Sequence, residues 1–582
     1  MDPALRELVA DGDPDEWIEA ILRLEPKADG RVPHVRTLAV FADVRTVRVQ
    51  RRHVEAVWAH PATASLKAAR LLQFEDPLER TGAFSVRSRA SQQFDPSPKP
   101  DLGRRGQGCV VGVVDWGFDI ANDAFRKGSG ASRVLALWDQ RGPKTDESPR
   151  YGYGRVIRQA QIDAALATAA PYTALGYHPG DADTGIGAHG THVADIAAGS
   201  IRGDLGGFAS EADLVFVHLA SQPLSGLANL GDSVRLLEAV QFIADQAGDR
   251  PVVINLSVGR HGGPHTGLTL VEQAFDRFLE TAPNRLIVQS AGNYFLSDTH
   301  THGRIAPGQT ATLTWQVNRG DRSPNELEFW YSNRDRFDVT LMPPGARQGF
   351  KVGLGESRGL YRSDGAEIGR LYHRAFDPNT PDHHLEVFLN PAAPSGAWTL
   401  QVFGELVEDG RYHSWIERDG SGRRQSRFAP DVATTPTTVG SICNGFLPLS
   451  VGAAQTTPFG ILPARFASAG PTRDGRQKPD LCAPGVGIRA ARSTPRWSTR
   501  PKAGTARMSG ASQAAPYVAG LAAALMSGLP GRHDIHALRR LITSAVRPIR
   551  TASDDARTQL GAGIADPIQA RAALLTVQQQ CL

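Results

Sequence analysis

Three side chains in this chain, met in order, have the types needed to cut an acyl bond. Asp115 lies in Val113-Val114-Asp115-Trp116-Gly117-Phe118-Asp119, at the end of an apolar run. His189 stands in Ala188-His189-Gly190-Thr191-His192-Val193-Ala194, and Ser512 in Ser509-Gly510-Ala511-Ser512-Gln513-Ala514-Ala515-Pro516. A serine hydroxyl is a weak nucleophile at neutral pH, so an imidazole must take its proton as it attacks a carbonyl. A buried carboxylate must then hold the imidazole's tautomer and stabilise the imidazolium. Taken singly, each residue has an ordinary explanation: an Asp after a β-run marks a turn, a His before Gly-Thr starts a helix or fills a core, and a Ser among Gly and Ala caps a helix. The joint pattern points to chemistry.

With a fourth segment, Ser290-Ala291-Gly292-Asn293, the Asp…His…Ser order resembles the subtilisin-like serine proteases. The resemblance implies that Asn293 and the Ser512 backbone N–H donate to the oxyanion, and that His189, with His192 structural, is the base. It also implies that Ser257-Val258-Gly259 lines one side of a substrate cleft and Ser290-Ala291-Gly292 the other, with an extended peptide added as a strand. Sedolisin-like relatives replace the histidine with glutamate, and the intact His189 separates the chain from them. The family's Gly-Thr-Ser-Met-Ala reads Gly510-Ala511-Ser512-Gln513-Ala514 here, its Pro-His-Val-Ala-Gly reads Pro516-Tyr517-Val518-Ala519-Gly520, and Asp195 replaces the glycine after His-Val-Ala. The hydroxyl missing at Ala511 implies weaker support of the oxyanion site and modest activity.

The elements that must position these groups are an α/β doubly wound parallel sheet with helices on both faces. Residues 211–217 and 251–257 are near-continuous apolar runs, as strands buried on both faces require. Residues 510–529, interrupted by Ser512, Gln513 and Pro516, suit a buried core helix better than a membrane span. Ahead of the sheet, residues 1–75 read as an α+β unit: strand Trp17–Leu24, a hairpin over 37–49, a helix over 51–60 and a last strand over 65–72. That order is similar to the inhibitory propeptides of the family; an unrelated docking domain is the other reading. A Pro-, Ser- and Arg-rich linker covers 76–106, and the catalytic domain spans 107–303 and 428–582. Between those halves, 304–427 alternates as β-strands (around Trp315, Phe329, Val387 and Trp398), an inserted antiparallel sandwich of about 120 residues. With Leu135-Ala136-Leu137-Trp138-Asp139-Gln140 and Gly152-Tyr153-Gly154, this insert resembles that of clostridial germination-protease-like subtilases, which carry a jelly roll there. The likeness covers most of 107–563 and transfers no germination role.

Composition sets outer bounds. A chain of 582 residues, 41% hydrophobic, can bury more than one core. A net charge of +4, from 64 basic and 60 acidic residues, does not indicate nucleic acid or membrane as a partner. The densest basic stretch, 489–507, reads as a solvated loop ahead of an acidic-substrate patch. Four cysteines are too few for a disulfide framework, and Cys109 and Cys482 read as small buried fillers. The first residues lack a secretory pattern, so a cytoplasmic location is expected. His300, His302, His383, His384 and His413 match no metal-ligand spacing and read as scattered surface histidines. No cofactor is expected; subtilases often hold structural calcium, but no loop here marks a site.

The expected function is a serine endopeptidase acting on protein or peptide, made as a self-processing zymogen inhibited by its own N-terminal domain and cut between Leu71 and Gln107. The alternatives are a pseudoprotease or locked zymogen serving as a regulatory binding module, and a serine esterase for small acyl substrates.

Overall fold

The computed structural model describes residues 1–10, 12–26, 31–72, 102–142, 144–146, 148–220, 232–419, 425–457, 460–549 and 554–580. The expected linker falls almost wholly outside them.

Seven consecutive strands of the central sheet are parallel. Their order is Val134–Asp139, Asp213–His218, Val110–Asp115, Val252–Leu256, Arg285–Ser290, Leu449–Thr457 and Leu481–Pro484. The strand Val110–Asp115 is buried along its whole length, because helices cover both faces. Helices His189–Ala198 and Ala511–Met526 pack together on one face, and Ser233–Ala247 and Leu270–Glu280 together on the other. Every residue of Ala511–Met526 is buried, so the helix is an interior element. Ligands of such sheets bind at the carboxyl ends of the strands, where the chain leaves Asp115. Trp138 stacks on Tyr151 at 5.0 Å and donates from Nε1 to the Tyr153 carbonyl at 3.3 Å, which joins the two segments on which the finer resemblance rested.

The N-terminal sheet is antiparallel, ordered Val35–Phe41, Val44–Gln50, Trp17–Leu24, Thr63–Ala68, and one face rests on helices Ser233–Ala247 and Leu270–Glu280. A helix over Pro3–Ala10, which the sequence did not announce, closes a small core on its other side around Leu5, Val54 and Val57. The contact with the helices is polar as well as apolar. Arg48 donates to both Glu238 oxygens at 3.0 and 3.1 Å, Tyr153 donates to Glu238 at 2.7 Å, and Arg235 pairs with Glu19 at 3.2 Å. Past the last strand the chain turns to the start of the Ser233 helix: the Ser233 N–H donates to the Arg70 carbonyl at 2.9 Å, and Leu71 bridges Asp232.

Two antiparallel sheets form between His300 and Phe428, one of His300–Arg304, Arg411–Ile416, Asn325–Tyr331, His383–Leu389, Glu367–Arg374 and Ser357–Tyr361, the other of Phe350–Val352, Arg336–Met342, Gly396–Leu406, Thr310–Val317 and Arg427–Phe428. Their facing side chains, Trp315, Phe329, Phe337, Val387 and Trp398 among them, make one core. His302 is exposed and His413 half-buried, but the other three histidines singled out here are not on the surface. His300, His383 and His384 are at most 3% exposed. His300 and His413 stack at 5.4 Å across paired strands, and His384 lies on Trp330 at 3.9 Å. Strand pairing sets His300 against Trp415 and His384 against Trp330, which histidine content alone does not reveal.

Candidate active site

Asp115 ends its strand fully buried, and its Oδ1 accepts from the Trp116 N–H at 2.7 Å. The following turn wraps the start of the next helix, with the Gly190 N–H donating to the Trp116 carbonyl and the Thr191 N–H to the Gly117 carbonyl. Gly117 is required there: its φ is +72°, and a Cβ would come within 2.5 Å of the Ala188 Cβ. This turn aims His189 back at Asp115, so that Nδ1 donates to Oδ1 at 2.8 Å and Oδ2 at 3.0 Å. The same contact leaves the Nε2 lone pair for a proton acceptor's role. The Gln513 amide comes within 3.4 Å of that Nε2. Gln513 fills the position after Ser512, and its proximity to the imidazole was not foreseen from sequence although its place in the motif was plain.

Ser512 is the second residue of its helix and is 4% exposed. Its carbonyl accepts from Ser257 Oγ at 3.1 Å, and Asn255 Nδ2 donates to that hydroxyl at 3.0 Å. Ser257 is therefore seen bracing the Ser512 backbone with its side chain. Asn293 follows Ser290-Ala291-Gly292 at the end of strand Arg285–Ser290. Its Oδ1 accepts from the Ala511 N–H at 2.9 Å, which turns Nδ2 the other way. A Cβ on Gly510 would come 3.3 Å from Asn293 Nδ2, 3.6 Å from the Ser512 nitrogen and 2.9 Å from Gln513 Oε1. The missing side chain leaves a small space bordered by two N–H donors at a helix start, which suits a developing oxyanion.

The remaining expected residues also gather here. Ser257, Val258, Gly259, Ser290, Ala291 and Gly292 are all buried. The Ala291 and Gly292 carbonyls already accept from the Gly440 and Ser468 N–H groups at 3.0 and 3.1 Å. These covering residues come from beyond the insert and carry no local signal. His192 points inward, donating from Nε2 to the carbonyls of Ile488 (3.1 Å) and Ala506 (3.2 Å), and burial lowers its pKa to about 4. Asp195 accepts from the Ala491 N–H at 2.6 Å and pairs with Arg202, which accounts for a carboxylate in the family's glycine position. Cys109 and Cys482 are buried thiols, and Cys443 Sγ donates to the Ser290 carbonyl at 3.1 Å.

Among the described residues one carboxylate group has metal-like spacing, Glu326, Glu328 and Glu386. Arg70 meets Glu386 at 2.6 Å and Glu326 at 3.2 Å, while Arg260 meets Glu328 at 2.9 Å and Glu417 at 3.2 Å. Guanidinium groups from the N-terminal unit and the catalytic sheet thus fill the chamber.

A doubly wound parallel sheet with a carboxylate–imidazole pair at its carboxyl edge, and a serine at the start of the helix packed beside it, is the architecture of a subtilisin-like hydrolase. The subtilase family profile (peptidase S8) matches residues 106–336 and 420–564, and the chain belongs to that family of serine proteases. A C5a peptidase of Streptococcus pyogenes is 24% identical over 466 residues, 72% of this chain and 34% of its own. Pyrolysin of Pyrococcus furiosus is 36% identical over 115 residues, 17% of this chain and 8% of its own. The chain thus spans about a third of the C5a peptidase's length. The solved CspB protease of Clostridium perfringens superposes with a TM-score of 0.66 at 22% identity, covering 82% of this chain and 96% of that one, and shares the fold.

Proposed function

We propose that this chain is a serine endopeptidase in which Ser512 is the nucleophile, His189 the general base, Asp115 its orienting carboxylate, and Asn293 with the Ser512 N–H the oxyanion donors. As Ser512 Oγ attacks a peptide carbonyl, His189 Nε2 takes its proton and later gives it to the departing amine; water then releases the acyl group by the same route. The observation that carries this reading is His189 Nδ1 held by both Asp115 oxygens at 2.8 and 3.0 Å. Ser257–Gly259 and Ser290–Gly292 form the walls of the substrate cleft.

The finer proposal is that residues 1–75 act as a propeptide, cut from the catalytic part between Leu71 and Gln107. It is supported by the docking of that sheet on helices Ser233–Ala247 and Leu270–Glu280, and by the entry of Arg70 and Leu71 beside Ser233 and Asp232. The buried ion pairs Arg48–Glu238 and Arg235–Glu19 favour a second reading, in which the N-terminal unit stays bound and the chain works as a locked zymogen. Turnover of casein and of a short activated ester, by wild type and by Ser512→Ala, tests the assignment. Casein cleavage lost in Ser512→Ala supports it; ester cleavage with no protein or peptide cleavage overturns the peptidase reading.

A further inference from the structure

Just ahead of Ser512 the chain forms a hairpin of Ile488–Ala491 and Thr505–Met508. It is fixed to the segments that carry the site. His192 donates into both strands, Asp195 accepts from the Ala491 N–H, and the Ala188 N–H, next to His189, donates to Ser493 Oγ at 2.8 Å. Asp119 accepts from the Thr494 N–H and hydroxyl, each at 2.8 Å. The basic stretch is therefore a braced wall beside the imidazole, where the sequence alone read as a solvated loop.

Between Ile488 and Met508 there are six cations (Arg489, Arg492, Arg496, Arg500, Lys502 and Arg507) and no carboxylate. Acidic groups facing the wall come from other loops: Asp204 pairs with Arg489, and Asp181 with Arg496 at 2.6 Å. Arg492 donates to the Gly185 carbonyl and Arg500 to the Ala169 carbonyl, each at 3.1 Å. Lys502 Nζ lies 3.6 Å over the ring of Trp497, itself 73% exposed. Carbonyl and ring partners leave the charge of these three groups unneutralised, so the wall presents a positive field with an apolar plate at its tip.

Proton flow gives a direction: His189 hands its proton to the departing amine. The hairpin is fixed to Ala188, next to that imidazole, so a peptide crossing the site meets it with the residues that follow the cut bond. In sequence, Leu72 is followed by Gln73-Phe74-Glu75-Asp76-Pro77-Leu78-Glu79, three carboxylates in seven residues.

We propose that the hairpin selects acidic residues on the leaving-group side of the scissile bond. The inference rests on the endopeptidase reading: water cleaves the C–N bond, and the amine-bearing product is the fragment whose Asp and Glu side chains lie along Arg500 and Lys502. Matched internally quenched peptides, identical before the bond and carrying either Glu-Asp or Gln-Asn after it, are given to the full-length enzyme and to an Arg500→Glu/Lys502→Glu variant. The wild-type ratio of kcat/KM, acidic over neutral, is expected to be about tenfold at low salt and to fall toward one in 0.5 M salt, as screened exposed pairs must. In the variant the ratio drops below one. A wild-type ratio near one, or a preference indifferent to salt, overturns the inference while leaving the peptidase assignment standing. If wild type cleaves neither these peptides nor casein, both fall together.

Discussion

Replacing Arg70 with methionine takes one cation out of the acidic chamber where three parts of the molecule meet. Arg70 lies 2.6 Å from Glu386, 3.2 Å from Glu326 and 3.7 Å from Asp2, and Glu386 is fully buried. Breaking a buried pair by removing one partner costs about 3–5 kcal/mol, because the other charge is left uncompensated. The Arg70 side chain is 19% exposed, which places the expected loss near the lower figure, about 3 kcal/mol, or roughly a hundredfold in local opening. Burial already raises the pKa values of Glu326 and Glu386. A carboxyl raised in the folded state contributes stability below its unfolded pKa and loses it as pH rises through the folded one. Losing Arg70 raises both further, so the deficit is larger at pH 8 than at pH 5. Hydrogen exchange on uncut Ser512→Ala protein, with and without Arg70→Met, reads this in strands Thr63–Ala68 and His383–Leu389. Protection within threefold of the parent at pH 8, or an equal loss at both pH values, would refute the electrostatic account.

Other perturbations follow from the site. Asp115→Asn should lower kcat about 10⁴-fold with little change in fold, measured by steady-state turnover and circular dichroism, since the amide presents the wrong hydrogen-bonding partner to His189 Nδ1. Asn293→Ala should cost about 10²–10³ in kcat, the range known for the same donor in a subtilisin, with KM nearly unchanged. His192 is held at a pKa of about 4 against an ordinary 6.5, so the unfolded chain takes up its proton first as pH falls. Its contribution is complete above pH 6.5 and declines by about 3 kcal/mol down to pH 4; denaturant titrations across that range should show a decline that His192→Gln reduces.

Sequence patterning carried much of the architecture. Strand Trp17–Leu24 and the strands around Trp315, Phe329, Val387 and Trp398 were legible because their side chains alternate in a way only a sheet satisfies. The Ser512 helix was legible because it is apolar all round. Less could be read where the cause is long-range. His300 and His384 looked superficial until strand pairing set them against Trp415 and Trp330. The chamber of Glu326, Glu328 and Glu386 takes its cations from Arg70 and Arg260, far away in the chain, so no local window contains it. The basic hairpin read as a solvated loop because its anchors, Asp119, Ala188, His192 and Asp195, lie some 300 or more residues earlier.

The most direct test of the account is intact mass with fluorophosphonate labelling of wild type beside Ser512→Ala. The account predicts one label on wild-type protein trimmed between Leu71 and Gln107, and a full-length, unlabelled Ser512→Ala chain. A full-length, unlabelled wild type, or a label that persists in Ser512→Ala, would contradict it.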